Sequence, residues 1–191
     1  CFEKFGDLVD LWVTFNEPKW FVSSGYLIGN YPPAHKNPQE MIIAAYHVML
    51  ASALGVTIFK EGGYKGQIGI VHSFTPVNGV DDSLETRIAM RYADNYCNNW
   101  ILDTACQGEF PIDLLSELNK KFDLSFINIK ELDVIKENTV DFIGLNYYAR
   151  ALIRPYSNGE TVLVANNSGN GGSNKVIIKD WFEQVFDDPD A

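Results

Sequence analysis

Leu11-Trp12-Val13-Thr14-Phe15-Asn16-Glu17-Pro18 is the stretch on which the fold turns. Its first five residues are apolar or β-branched, which suits a buried strand. Asn16 and Glu17 make the end of that strand polar, and Pro18, which cannot donate to a ladder, stops it. Two later runs repeat the design. Gln67-Ile68-Gly69-Ile70-Val71-His72-Ser73 is continuously apolar inside and polar at its ends, as expected of a strand covered on both faces in a parallel sheet. Val140-Asp141-Phe142-Ile143-Gly144-Leu145 runs into Asn146-Tyr147-Tyr148. Each expected strand thus delivers hydrogen-bonding or ionisable groups at its C-terminal end.

Helices are expected between the strands. Asn37-Pro38-Gln39-Glu40 has a capping residue, a proline at the first helical position and a glutamate placed to close a capping box. Met41, Ile42, Ala45, Tyr46, Met49 and Ala53 follow, to about Lys60, and Gly62-Gly63 ends the helix. Ser83 caps a second helix, in which Ile88, Tyr92, Tyr96 and Trp100 recur every four residues. Pro111 opens a third, to about Lys121, and Asn128-Ile129-Lys130-Glu131 repeats the capping-box pattern before a fourth. Phe2, Phe5, Leu8 and Val9 predict the tail of a helix over 1–10. Loops are expected after Pro18 through Tyr31-Pro32-Pro33, through Pro76 and Gly79, and over 156–175, where Gly, Asn and Ser predict flexibility.

Strand, helix, strand, helices, strand in that order gives right-handed crossovers and an α/β parallel sheet. No Gly-rich phosphate turn follows the first strand, which argues against a doubly wound fold. Polar strand ends suit a (β/α)8 barrel, whose site is assembled there. Such a barrel has eight strands and typically about 250 residues. These 191 residues have room for about three strands, so the expectation is one partial domain over 1–191, a piece of a longer chain.

The 25 acidic and 15 basic side chains give a net charge of −10, which argues against a nucleic-acid or anionic membrane partner. No apolar run of the roughly 18 residues a membrane span needs is evident. Cys1, Cys97 and Cys106 lack metal spacing and read as reduced thiols, which predicts a cytoplasmic setting and no bound metal.

Glu17 is the leading chemical candidate. Trp12, Phe15 and Trp20 flank it, and an aromatic surrounding would disfavour a charged carboxylate, as a general acid requires. Asn146 and Tyr148 offer an amide and a phenol that could bind sugar hydroxyls or a partner carboxylate; packing is the alternative. His72 stands alone at a strand end, without a second ligand at metal spacing, and is expected to be structural or to touch substrate. His35 and His47 read as loop and helix-surface residues.

Thr14-Phe15-Asn16-Glu17-Pro18 resembles glycoside hydrolase family 1. So do Cys1 to Asp7, Ile68-Gly69-Ile70-Val71, Trp100-Ile101-Leu102-Asp103 and Asp141-Phe142-Ile143-Gly144-Leu145-Asn146-Tyr147-Tyr148, in the same order along the chain. The resemblance implies a TIM (β/α)8 barrel, here about strands four to six, and a retaining β-glycosidase that needs no cofactor. Such an enzyme uses two carboxylates about 5 to 5.5 Å apart. By position Glu17 matches the acid/base. Asn16 matches the residue that binds the sugar 2-hydroxyl, Tyr148 the phenol that orients the nucleophile, and Asn146 a neighbouring site residue. The family's nucleophile lies in a Thr-Glu-Asn-Gly motif on strand seven, which this sequence lacks. The resemblance therefore implies that the remaining barrel segments are partners of this piece, and that the piece alone is inactive.

For the substrate, Gly25-Tyr26-Leu27-Ile28-Gly29-Asn30-Tyr31-Pro32-Pro33 and Val71-His72 resemble the branch acting on 6-phospho-β-glucosides or 6-phospho-β-galactosides. Pro18 and the aromatics after it are more similar to plain β-glucosidases. Ser73 stands where glucosidases usually carry an asparagine. The rival class is a sugar-binding or structural fragment without turnover.

Overall fold

The computed structural model describes residues 1–155 and the strands Thr161–Asn166 and Ser173–Asn174. The expected 156–175 loop therefore contains two strands, and its other residues lie outside those described. In chain order the elements are α1 Phe2–Phe5, β1 Leu11–Asn16, α2 Pro18–Ser23, α3 Pro38–Glu61, β2 Gln67–Phe74, β3 Val77–Gly79, α4 Leu84–Asp94, α5 Trp100–Gln107, α6 Ile112–Leu118, α7 Ile129–Glu137, β4 Phe142–Tyr147, β5 Arg150–Pro155, β6 Thr161–Asn166 and β7 Ser173–Asn174.

The expected strands form one parallel sheet in the order β1-β2-β4, open at both sides among the described residues. Alternation assigns its faces. Ile70 packs with Met49 of α3 and with Trp100, Ile101 and Ala105 of α5, while Ile68 packs with Val56 and Phe59 of α3. Each such side chain contributes roughly 1.5–3 kcal/mol by leaving water. Gly69, Val71 and Ser73 consequently face the other, inner side, with their register partners Phe142, Gly144 and Asn146. Gly69 has no room for a side chain, since a Cβ there would lie 2.6 Å from both the Phe142 ring and its carbonyl oxygen.

β1 is displaced by one residue. Val13 pairs with Gly69 and Asn16 with Val71, so three steps on β1 match two on β2. This β-bulge brings Asn16 onto the same inner face as Val13.

Helix α3 is capped by Asn37, whose side chain accepts from the N–H groups of Gln39 and Glu40. The expected capping box does not close. The Asn37 N–H goes to the Tyr26 carbonyl at 2.8 Å, and Glu40 instead takes the Asn37 side-chain amide and His35. At α7 a tyrosine intervenes in the same way: the Tyr46 hydroxyl accepts the Asn128 N–H at 3.3 Å and donates to Glu131 at 2.8 Å. Contrary to expectation, α3 is long and apolar enough to cross a membrane. Here it is the central packing helix, with Met41, Ile42, Tyr46, Met49, Ala53, Val56 and Phe59 buried.

Three further expectations are corrected. The stretch after Pro18 is α2 followed by a π-turn, Ser24–Ile28, rather than a loop. A second π-turn, Asn95–Asn99, separates α4 from α5, so Ile88 to Trp100 is not one stripe: Ile88 is exposed while Thr86, Ala89 and Ala93 are buried. The loop through Pro76 and Gly79 contains β3, which pairs in parallel with β5 in a second sheet, β3-β5-β6-β7. Ala89 and Ala93 of α4 pack on Ala151 and Ile153 of that sheet. The neighbours β2 and β4 thus continue as the neighbours β3 and β5. The break between the two sheets falls at Thr75-Pro76 and Tyr148-Ala149.

Candidate active site

The C-terminal ends of β1, β2 and β4 converge on Glu17. The backbone N–H of Glu17 continues the ladder to the Val71 carbonyl at 2.8 Å. Its φ of 52° and ψ of 55° then turn the chain left-handed into α2, and buried Pro18 starts the helix. A non-glycine residue held there costs about 1–3 kcal/mol, and such strain gathers at functional sites. Here the strained residue is the carboxylate itself.

Glu17 Oε1 accepts from Asn146 Nδ2 at 2.7 Å and from the Tyr148 hydroxyl at 3.1 Å. The same Asn146 amide donates to Asn16 Oδ1 at 3.1 Å, so each of its two hydrogens has its own acceptor. The four residues singled out in the sequence, Asn16, Glu17, Asn146 and Tyr148, therefore form one connected group. Within this group the Tyr148 hydroxyl reaches Glu17 itself. The hydrogen bond to Glu17 and the charge behind it raise the Tyr148 pKa above the ordinary phenol value.

The expected aromatic flank is engaged elsewhere. Trp12 packs edge-on to Phe2 at 4.9 Å, Phe15 lies against Phe21 at 6.0 Å, and Trp20 faces Tyr31 at 6.5 Å. Hydrogen-bond donors therefore surround the Glu17 oxygen where an apolar wall was expected.

His72 faces the helices and not the inner side, which decides for the structural role. It is fully buried, with Nε2 3.2 Å from Asn98 Oδ1. Its Nδ1 lies beside the Cys97 backbone but makes no well-aligned hydrogen bond. Burial is the main reason its pKa falls to about 4; the Asn98 contact opposes this and the Lys19 charge adds to it. His47 is exposed on α3, and His35 pairs with Glu40. Cys97 is buried, and burial pushes its thiol up to about 11. Among the described residues no three His, Cys, Asp or Glu side chains gather as a metal site would require.

Two polar residues near the site were not singled out in the sequence. Asn98, on the second π-turn, accepts the Thr75 N–H at 3.0 Å and donates to the Thr75 carbonyl at 2.8 Å, clamping the break after β2. Lys19 donates to the Ser73 carbonyl at 3.0 Å and to the Thr75 hydroxyl at 3.2 Å. The available signals were an asparagine pair, Asn98-Asn99, inside an amphipathic helix and a lysine in the first turn of another.

The sequence profile of glycosyl hydrolase family 1 matches residues 1–185. The chain belongs to that family. A 6-phospho-beta-galactosidase of Clostridium acetobutylicum is 32% identical over 192 residues, 97% of this chain and 40% of that protein. The 6-phospho-beta-glucosidase GmuD of Bacillus subtilis is 36% identical over 148 residues, 78% of this chain and 32% of its own length. Among solved structures, a beta-glucosidase from Exiguobacterium marinum superposes with a TM-score of 0.76 at 30% identity, over 90% of this chain and 39% of its own. The family 1 chain described here thus spans about 40% of the length of such relatives. Its open three-stranded sheet is a segment of the family's barrel, about strands four to six.

Proposed function

We propose that this chain carries the acid/base half of a retaining β-glycosidase site, with 6-phospho-β-glucosides or 6-phospho-β-galactosides as substrates. The observation that carries the reading is Glu17 at the end of β1, bracketed by Asn146 and Tyr148 from β4 and the break beyond it. A carboxyl group held there can give its proton to the leaving glycosidic oxygen as the anomeric C–O bond breaks. It can then take a proton from the water that attacks the glycosyl-enzyme. The attacking carboxylate is assigned to barrel segments outside these 191 residues, since the sequence has no Thr-Glu-Asn-Gly motif. Turnover accordingly needs both parts, and the setting that suits phosphorylated sugars is the cytoplasm.

The 6-phospho preference is favoured by the names of the curated relatives, and a plain β-glucosidase by those of the solved structures. Hydrolysis of nitrophenyl β-glucoside and β-galactoside, with and without a 6-phosphate, by the protein as its source encodes it separates the two. Glu17→Gln tests the chemistry. Cleavage of substrates with poor leaving groups should fall about 100- to 10,000-fold, while dinitrophenyl glycosides still form the glycosyl-enzyme. Equal losses on both would overturn the assignment.

A further inference from the structure

Lys19 stands where two general rules would not put a lysine. It lies in the first turn of α2, where a cation opposes the helix dipole. It is also half-buried, and burial pulls its ammonium below the ordinary lysine value, against the pull of Cys97 and Glu17. Among the described residues no carboxylate lies within ion-pair distance of it. What it holds instead is the end of β2, through the Ser73 carbonyl and the Thr75 hydroxyl.

Those contacts close a ring. Lys19 follows Glu17 by two residues and binds Ser73; Ser73 is the register partner of Asn146; Asn146 donates back to Glu17. Asn98 secures the same segment from the far side. The left-handed turn at Glu17 is therefore tied to the sheet at two points, its own N–H on Val71 and the side chain of Lys19. Local rules broken together beside a strained carboxylate are what a functional constraint leaves behind.

We propose that Lys19 is a positioning residue for Glu17, fastening its turn to the end of β2 and setting a positive charge beside the carboxyl that hands over the proton. This rests on the acid/base reading of Glu17. Glu17 from the turn after β1, Cys97 from the second π-turn and His72 from β2 all interact electrostatically with Lys19. Around Glu17 the groups are Lys19, His72, Asn146 and Tyr148. His72 is neutral above about pH 4. Lys19 is thus the cation in this set near neutrality.

The test is the leaving-group dependence of hydrolysis by the protein as its source encodes it. Lys19→Met should lower kcat on alkyl glycosides, which need a proton for the leaving oxygen, about tenfold more than on dinitrophenyl glycosides, which do not. Lys19→Arg, which keeps the charge, should stay near the unsubstituted protein. A Met variant that loses nothing, or loses equally on both substrates, overturns the proposal, as does an Arg variant that behaves like Met. Where Met disturbs the fold, Lys19→Gln keeps a donor towards Ser73 without the charge and gives the same readout. Equal losses in Lys19→Met combined with the expected leaving-group split in Glu17→Gln would sink the Lys19 proposal alone. No such split in Glu17→Gln would sink the acid/base reading instead.

Discussion

The hydroxyl of Tyr148 and the carboxylate of Glu17 are joined by a 3.1 Å hydrogen bond across 131 positions of sequence. The bond lands on the oxygen that also takes the Asn146 amide. Two donors on one oxygen fix the carboxyl plane and leave the second oxygen for chemistry.

The phenol reports on this contact. The hydrogen bond to a carboxylate raises the Tyr148 pKa, since ionising the phenol would lose the bond and bring two negative charges together. In Glu17→Gln the Tyr148 titration should return towards the ordinary phenol value. A pH-dependent ultraviolet difference spectrum, with Tyr148→Phe to identify the signal, measures it. An unchanged Tyr148 midpoint in Glu17→Gln would show that the contact does not persist in solution.

Asn98→Ala should destabilise the protein by about 2 to 4 kcal/mol. It leaves the N–H and carbonyl of Thr75 without their buried partners and strips His72 of its Nε2 contact. Urea unfolding gives the value, and a loss under about 1 kcal/mol would mean that water replaces the clamp.

His72 predicts an acid sensitivity. Its folded pKa, about 4, lies below the unfolded value of 6.5. The unfolded chain therefore takes up the proton first, and stability present above about pH 6.5 is lost as pH falls towards 4. Between pH 7 and pH 4.5 the unsubstituted protein should lose about 2 kcal/mol more than His72→Gln. Parallel curves for the two would contradict the buried neutral imidazole.

The open sheet predicts association. Leu11 and Val13 on β1 are 65% and 47% exposed, and Leu145 and Tyr147 on β4 are 60% and 57% exposed. Flat, apolar, unpaired edges recruit other strands. The 191-residue chain by itself should sediment as mixed oligomers at micromolar concentration, and Leu11→Lys with Val13→Lys should reduce their size. A monomer that melts cooperatively would refute this.

The strands were legible because each joins an apolar run to an abrupt polar end, as Phe15 to Asn16 and Leu145 to Asn146. The site was legible for the same reason, since parallel strands bring like ends together. The Ile88–Trp100 stripe misled because a four-residue step drifts about 40° on an α-helix, roughly 120° over three steps. The π-turn absorbs part of that drift, and it depends on contacts from Asn98 to Thr75 and His72 that only the tertiary fold supplies. The capping boxes failed because Tyr26 and Tyr46, distant in sequence, took the backbone N–H groups that the local pattern reserved. Lys19 was passed over because a lysine beside a helix start reads as surface charge until its reach to β2 is known.

The extra residue between Val13 and Asn16 works as a half-step of phase. Side chains on a strand alternate, so three regular steps from Val13 would put Asn16 on the opposite face, and the bulge absorbs one of them. Without the bulge, a β1 of the same length would turn Asn16 towards the helices and leave Glu17 out of register with Asn146, although no residue of the site had been altered. The address of the carboxylate is therefore written in the bulge of β1 as much as in its letters.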